Sequence, residues 1–113
     1  MPRLSNGPDR LFRALGDSTR RAVVHRLCRG AETVGGLAAP HPMALPSFLQ
    51  HLDVLEKSGW IRSRKTGRVR ICRINPAALR KAGAWLEAQR VLWERRLNSL
   101  DDYLRRMDKE ERP

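Results

Sequence analysis

The sequence predicts a mainly α domain with a small β-hairpin, and three observations carry the prediction. Apolar residues recur at helical spacing in several stretches bounded by Gly and Pro. One stretch, "WIRSRKTGRVRICRI", switches to a two-residue period around a Gly-containing turn. The last third of the chain repeats apolar residues at steps of four and three, with no breaker stronger than Gly83. At 113 residues the chain is long enough for one core and not comfortably for two.

The elements follow in order. "DRLFRALG" places Leu11, Phe12 and Leu15 on one side of a short helix that stops at Gly16. "DSTRRAVVHRLCRG" opens with Asp17-Ser18-Thr19, whose short oxygen-bearing side chains suit an N-cap, and buries Val23, Val24 and Leu27. "TVGGLAAP" is a short helix stopped by Pro40. "ALPSFLQHLDVLEKSG" carries Pro46 in its first turn, where a missing N–H costs little, and ends at Gly59. Phe48, Leu52 and Leu55 face the core, which leaves Ser47, Gln50, His51 and Val54 on other faces. Two strands then flank Thr66-Gly67, with Val69, Ile71 and Ile74 alternating against Arg68, Arg70 and Arg73. Asn75 caps the final helix and Pro76 takes its first position. Along it Leu79, Gly83, Leu86, Arg90, Trp93, Leu97, Leu100, Leu104 and Met107 form a heptad seam with two imperfect positions.

Charge narrows the function. Lys and Arg number 23 against 12 Asp and Glu, a formal charge of +11. An excess that large indicates an anionic partner. It is uneven: residues 1–78 hold 14 basic and 5 acidic side chains, residues 79–113 hold 9 and 7. The partner-facing surface is therefore expected in the first two thirds. No apolar run approaches the roughly 20 residues of a membrane span, and the N-terminal "MPRLSNGPDR" has no apolar core of a secretory signal. A cytoplasmic protein with Cys28 and Cys72 as reduced thiols is the expectation.

Three helices followed by a basic hairpin is the order of a winged helix-turn-helix. The helix ending at Ser58 would read bases with Ser47 and Gln50, since Gln can pair bidentately with adenine. Ala44, Leu45 and Leu49 would meet thymine methyls, and His51 would donate to a phosphate. The hairpin cations Arg62, Arg64, Lys65, Arg68 and Arg70, with Arg73 after them and no acid among them, would neutralise the backbone. Asp53 and Glu56 would repel phosphate and are expected away from the groove.

Together "LFRALGDSTRRAVVHRL", "TVGGLAAPHPMALPSFLQHLDVLEKSGWI" and "RKTGRVRICRINPAAL" resemble the arsenic-repressor-type (ArsR/SmtB) transcriptional regulators over about residues 9–80. The "WLEAQRVLWERRLNSLDDYL" tail is most similar to the family's autorepressor branch. The resemblance implies a homodimer on an inverted-repeat operator, repressing transcription. It also implies a recognition helix at Ala44–Leu55, a wing at Arg62–Arg73 and a dimer interface from the first and last helices. Leu11 and Phe12 would contribute to that interface with Leu86, Trp93, Leu97, Leu100 and Leu104. The chain departs from the family pattern at Ala44, often Ser or Thr, and at Leu49, often Ser. It has no Cys around Leu37–Ala39 and no His after His51, so the family's metal-sensing role is not carried over. The expected layout is a flexible N-terminus at 1–8 and one winged helix-turn-helix domain at 9–113. Within that domain, 9–75 is the DNA-binding core and 76–110 the dimerisation helix.

Other readings are narrower. His25 and Cys28 stand three apart on one helix, but two ligands do not make a tetrahedral site. They are expected as an exposed His and a partly buried thiol. Cys72 lies beside Arg70 and Arg73, which would lower its pKa, yet a small residue packing the wing is the simpler expectation. Trp85 and Trp93 are expected as core or interface anchors rather than an effector pocket. No acid/base pair, nucleophile constellation or glycine-rich phosphate loop is present, so no enzyme and no cofactor are expected. The alternative to a repressor is a protein-interaction module with a basic nucleic-acid-binding face and no operator specificity. Release from DNA would come from an unidentified organic effector or a fall in protein concentration.

Overall fold

A computed structural model describes residues 8–111. Its elements run α1 (Pro8–Ala14), α2 (Ser18–Leu27), β1 (Glu32–Thr33), α3 (Val34–Ala38), α4 (Leu45–Ser58), β2 (Ile61–Thr66), β3 (Val69–Ile74) and α5 (Pro76–Glu111). Residues 1–7 of the segment expected to be flexible lie outside the described residues, while Pro8 opens α1 rather than belonging to a loose terminus.

Local chemistry sets the boundaries. Asp17 caps α2 by accepting from the Arg20 backbone N–H at 3.1 Å, and that bond holds its carboxyl below the usual carboxylate range. Thr33 does the same for α3 through Gly36 N–H at 3.0 Å. Gly59, at φ +98, ends α4 in the left-handed conformation, and the next N–H, from Trp60, reaches back to the Leu55 carbonyl. Asn75 accepts from Ala77 N–H at the start of α5 and donates to the Gly59 carbonyl, tying that helix start to the end of α4.

The hairpin is part of a three-stranded antiparallel sheet in the order β1-β3-β2, because two residues not read as a strand, Glu32 and Thr33, pair with Cys72 and Ile71. Thr66 pairs with Val69, so the turn is Gly67-Arg68, one residue later than expected. Gly67 has φ +64 and, among the described residues, no non-glycine residue has positive φ, which matches the type II′ pattern with Gly at the first central position.

The expected phase of β3 is corrected. Residues directly opposite share a face, so Ile61 with Ile74 and Ser63 with Cys72 form the inward side. Ile61 and Cys72 are buried, whereas Val69 is exposed and shares the other face with Ile71 and Arg73. The helices bury only the base of the hairpin, so Val69, beside the turn, stays 45% exposed.

One core joins α1 to α4, the sheet and the first turns of α5. Phe48, Leu52 and Leu55 of α4 meet Leu11, Val23, Leu27, Leu37, Trp60 and Ile61. The Trp60 indole N–H donates to the Leu11 carbonyl at 2.8 Å, so this buried aromatic is also satisfied. Burial also corrects the role expected of Leu11: at 3% exposure it belongs to the chain's own core and has no surface to offer a partner. Phe12 is half-buried against the same core.

The chain divides into two compact units, up to Ala82 and from Gly83. The division falls inside α5 rather than at residue 76, because Ala78 and Ala82 are buried in the first unit.

Candidate nucleic-acid interface

Seating Phe48, Leu52 and Leu55 inward fixes what α4 offers outward. At about 100° per residue Gln50 stands roughly 200° around the axis from Phe48. Gln50 and Ser47 are both exposed, as is Ala44, the N-cap residue, which makes no side-chain cap bond. Leu45 and Leu49, also exposed, line a groove against Arg68, Val69 and Arg70 of the hairpin. Of the six α4 candidates, His51 is the one drawn inward. Its Nδ1 accepts from the Arg20 guanidinium at 3.1 Å and lies 3.7 Å from the Asp17 carboxylate.

Asp53 pairs with Lys57 at 2.9 Å, one turn along α4, and that pairing raises the lysine pKa. Glu56 turns toward the base of the hairpin and accepts from the Ser63 hydroxyl at 2.8 Å.

The wing concentrates positive charge without neutralising it. Arg62 stands directly opposite Arg73, and Lys65 directly opposite Arg70. Like charges facing across an antiparallel pair destabilise it. Arg62, Arg64 and Arg73 share one face, Lys65 and Arg70 the other, and Arg68 occupies the turn. None of the six takes part in an ion pair among the described residues. A hairpin that sets cations against one another on both faces is suited to an external polyanion that reaches both. Arg73 belongs with the candidates on this ground.

Both thiols are free. Cys72 is buried and its pKa is raised, chiefly by desolvation and then by Glu56; the nearby Arg70 opposes this but does not prevail. The lowered pKa considered for this thiol is therefore corrected. Cys28, expected partly buried, is exposed at the end of α2. Among the described residues no three His, Cys, Asp or Glu side chains gather to hold a metal ion, and no helix is long and apolar enough to cross a membrane.

The second unit is a helical segment whose apolar side chains stand in solvent. Leu86, Trp93, Leu97, Leu100 and Leu104 are each about half exposed. Within this seam Arg90 is held by Glu87 and Glu94, one turn either side, which raises its pKa.

No protein-family model matches the chain. It is 42% identical to the HTH-type transcriptional regulator Rv2034 of Mycobacterium tuberculosis over 72 residues, covering 64% of this chain and 67% of that protein. It is 28% identical over 76 residues to the transcriptional repressor SdpR of Bacillus subtilis, covering 67% and 84%. An ArsR-like transcriptional regulator from Rhodococcus sp. RHA1 superposes at TM-score 0.69 with 31% identity, covering 82% and 88%. The crystal structure of an ArsR family transcriptional regulator superposes at TM-score 0.72 with 53% identity, covering 76% of this chain and 89% of that one. These relatives are transcriptional regulators and not enzymes. With this identity and coverage added to the helix-turn-helix and wing, the chain belongs to the ArsR family of winged helix-turn-helix transcriptional regulators.

Proposed function

We propose that the chain is a homodimeric, sequence-specific DNA-binding repressor that acts in the cytoplasm on an inverted-repeat operator. The observation that carries this is the wing. Its six cations are unneutralised, two pairs face each other directly, and they follow a helix with Ser47 and Gln50 exposed. Phosphate contacts of this kind supply affinity and register, and base-edge contacts supply sequence choice. The half-exposed apolar seam of α5 supports a second copy as its cover. One structural relative is described as a homodimeric winged helix-turn-helix DNA-binding domain, and SdpR is named a repressor. Selection of bound sequences from random duplex DNA tests the reading. It should return a palindrome, whereas equal retention of all sequences would favour a basic interaction module without operator specificity.

Within that reading Gln50 and Arg68 behave differently. Gln50→Ala should cost about 1–3 kcal/mol on the selected site and little on random duplex. Arg68→Ala should weaken both alike and reduce the slope of log affinity against log salt by about 0.9. Equal losses on both duplexes for Gln50→Ala would remove it from the readers.

Zinc, cadmium or arsenite at stoichiometric levels should leave operator affinity unchanged. Cys72 is buried and held as a thiol, and Cys28 stands at the end of a different element. Release then falls to an organic effector or to dilution of the dimer. A metal-dependent loss of affinity that Cys28→Ser/Cys72→Ser abolishes would overturn this expectation.

A further inference from the structure

Glu56 stands two residues before the end of α4, next to a surface built for phosphate, where a carboxylate ought to weaken binding. Its contacts suggest the opposite. One oxygen, Oε1, accepts from the Ser63 backbone N–H at 3.3 Å and from the Ser63 hydroxyl at 2.8 Å. With its proton given to Glu56, that hydroxyl accepts from the Arg70 guanidinium at 2.9 Å. The three groups form a chain from the recognition helix through β2 to β3. β2 is an edge strand, so alternate N–H groups point away from β3 and need another acceptor. Ser63 is such a residue, and Glu56 supplies the acceptor.

The chain also opposes the wing's internal strain. Arg70 faces Lys65 across the hairpin, and without another partner the two would splay apart. Linking Arg70 to Ser63 draws the guanidinium of a residue near the turn down the inward face toward the base of the wing.

We propose that Glu56 is a positioning residue for DNA binding: through Ser63 it holds Arg70 and the wing base against the recognition helix. Its acid therefore strengthens operator binding despite its charge. This rests on the DNA-binding reading above and goes beyond it by giving a role to a residue that touches no DNA.

The sign of the effect makes the test. Simple electrostatics requires that removing a carboxylate near phosphates tighten binding. The clamp requires that Glu56→Ala weaken operator binding roughly three- to ten-fold and lower the salt slope by up to about 0.9, as for one lost phosphate contact. Glu56→Gln keeps an oxygen acceptor while losing the charge, so it should bind at least as well as the wild type. Glu56→Ala/Arg70→Ala should bind no worse than Arg70→Ala alone, the non-additivity expected of members of one chain. In the free protein, Glu56→Ala should speed hydrogen exchange at the Ser63 amide, with an unchanged thermal midpoint because Ala is favourable in a helix. Glu56→Ala binding as tightly as wild type with an unchanged slope would overturn the clamp alone. Glu56→Gln as damaged as Glu56→Ala would overturn it too. A wild-type chain that binds no duplex would sink the DNA reading, and this role with it.

Discussion

Leu97→Glu is expected to convert a dimer into folded monomers and to weaken operator binding roughly 10²–10⁴-fold. Leu97 lies in the middle of the seam of Leu86, Trp93, Leu100 and Leu104, each about half exposed in the single chain. The side chain packs into no core of its own chain, so the substitution leaves the first unit intact. A partner helix covering the seam would have to bury an unpaired carboxylate, which costs several kcal/mol or forces protonation. Dimerisation converts binding of the second half-site into an intramolecular event. Losing it forfeits an effective-concentration advantage of roughly 10²–10⁴ without any change in the contacts that one copy makes. Sedimentation equilibrium at micromolar concentration, paired with operator binding, checks both halves. A wild type that sediments as a monomer, or a Leu97→Glu variant that remains a dimer, would refute it.

Phe48→Ala should destabilise the first unit by about 3–5 kcal/mol, the range for emptying a buried aromatic site. Phe48 is 1% exposed, sits among the α4 core residues and stacks on His41 with ring centroids 5.4 Å apart. Domains of this size have about 5–15 kcal/mol in total, so the loss should lower the thermal midpoint by more than roughly 10 °C. The same side chain sets the rotation of α4, and so the direction of Ser47 and Gln50. Leu49→Ala, at the next position and exposed, is the control and should stay within about 1 kcal/mol. A loss below about 1.5 kcal/mol for Phe48→Ala would mean that α4 is not seated through this ring.

The sequence was most legible where one local pattern agreed with the tertiary environment. The period of Phe48, Leu52 and Leu55 gives both the existence of α4 and its buried side, and Gly59 and Asn75-Pro76 mark helix boundaries by chemistry that needs no partner. Legibility ended where the deciding contact is distant. Glu32-Thr33 has no strand pattern of its own and pairs only because β3 offers it an edge. In β3 the alternation of Val69 and Ile71 with arginines suggests an apolar face, but the residues that the core buries, Cys72 and its neighbour Ile61, lie on the opposite face. Leu11 looks available on a short amphipathic helix until the fold buries it in one core with Trp60, 49 residues away, whose indole N–H bonds its carbonyl. His51 looks free until Arg20, 31 residues away, takes one of its nitrogens. Glu56 reads as a charge to be kept clear of phosphate, and its contact with Ser63 exists only once the chain has turned back through β2.

The unneutralised wing also bears on how quickly the regulator would find its site. Cations on both faces of a hairpin hold any duplex, whatever its sequence, through counterion release. Such a protein would spend most of its time on DNA that is not its target, sliding and hopping between brief dissociations. On the DNA-binding reading proposed above, the wing would act as the rail for a one-dimensional search, and Gln50 and Ser47 would act as the brake that stops it. A stronger rail would shorten each excursion into solution but lengthen every stay on the wrong sequence. A clamp at Glu56 and Ser63 that holds the Arg70 guanidinium, while Arg68 in the turn makes no ion pair, would tune the balance between speed and residence without altering a single base contact.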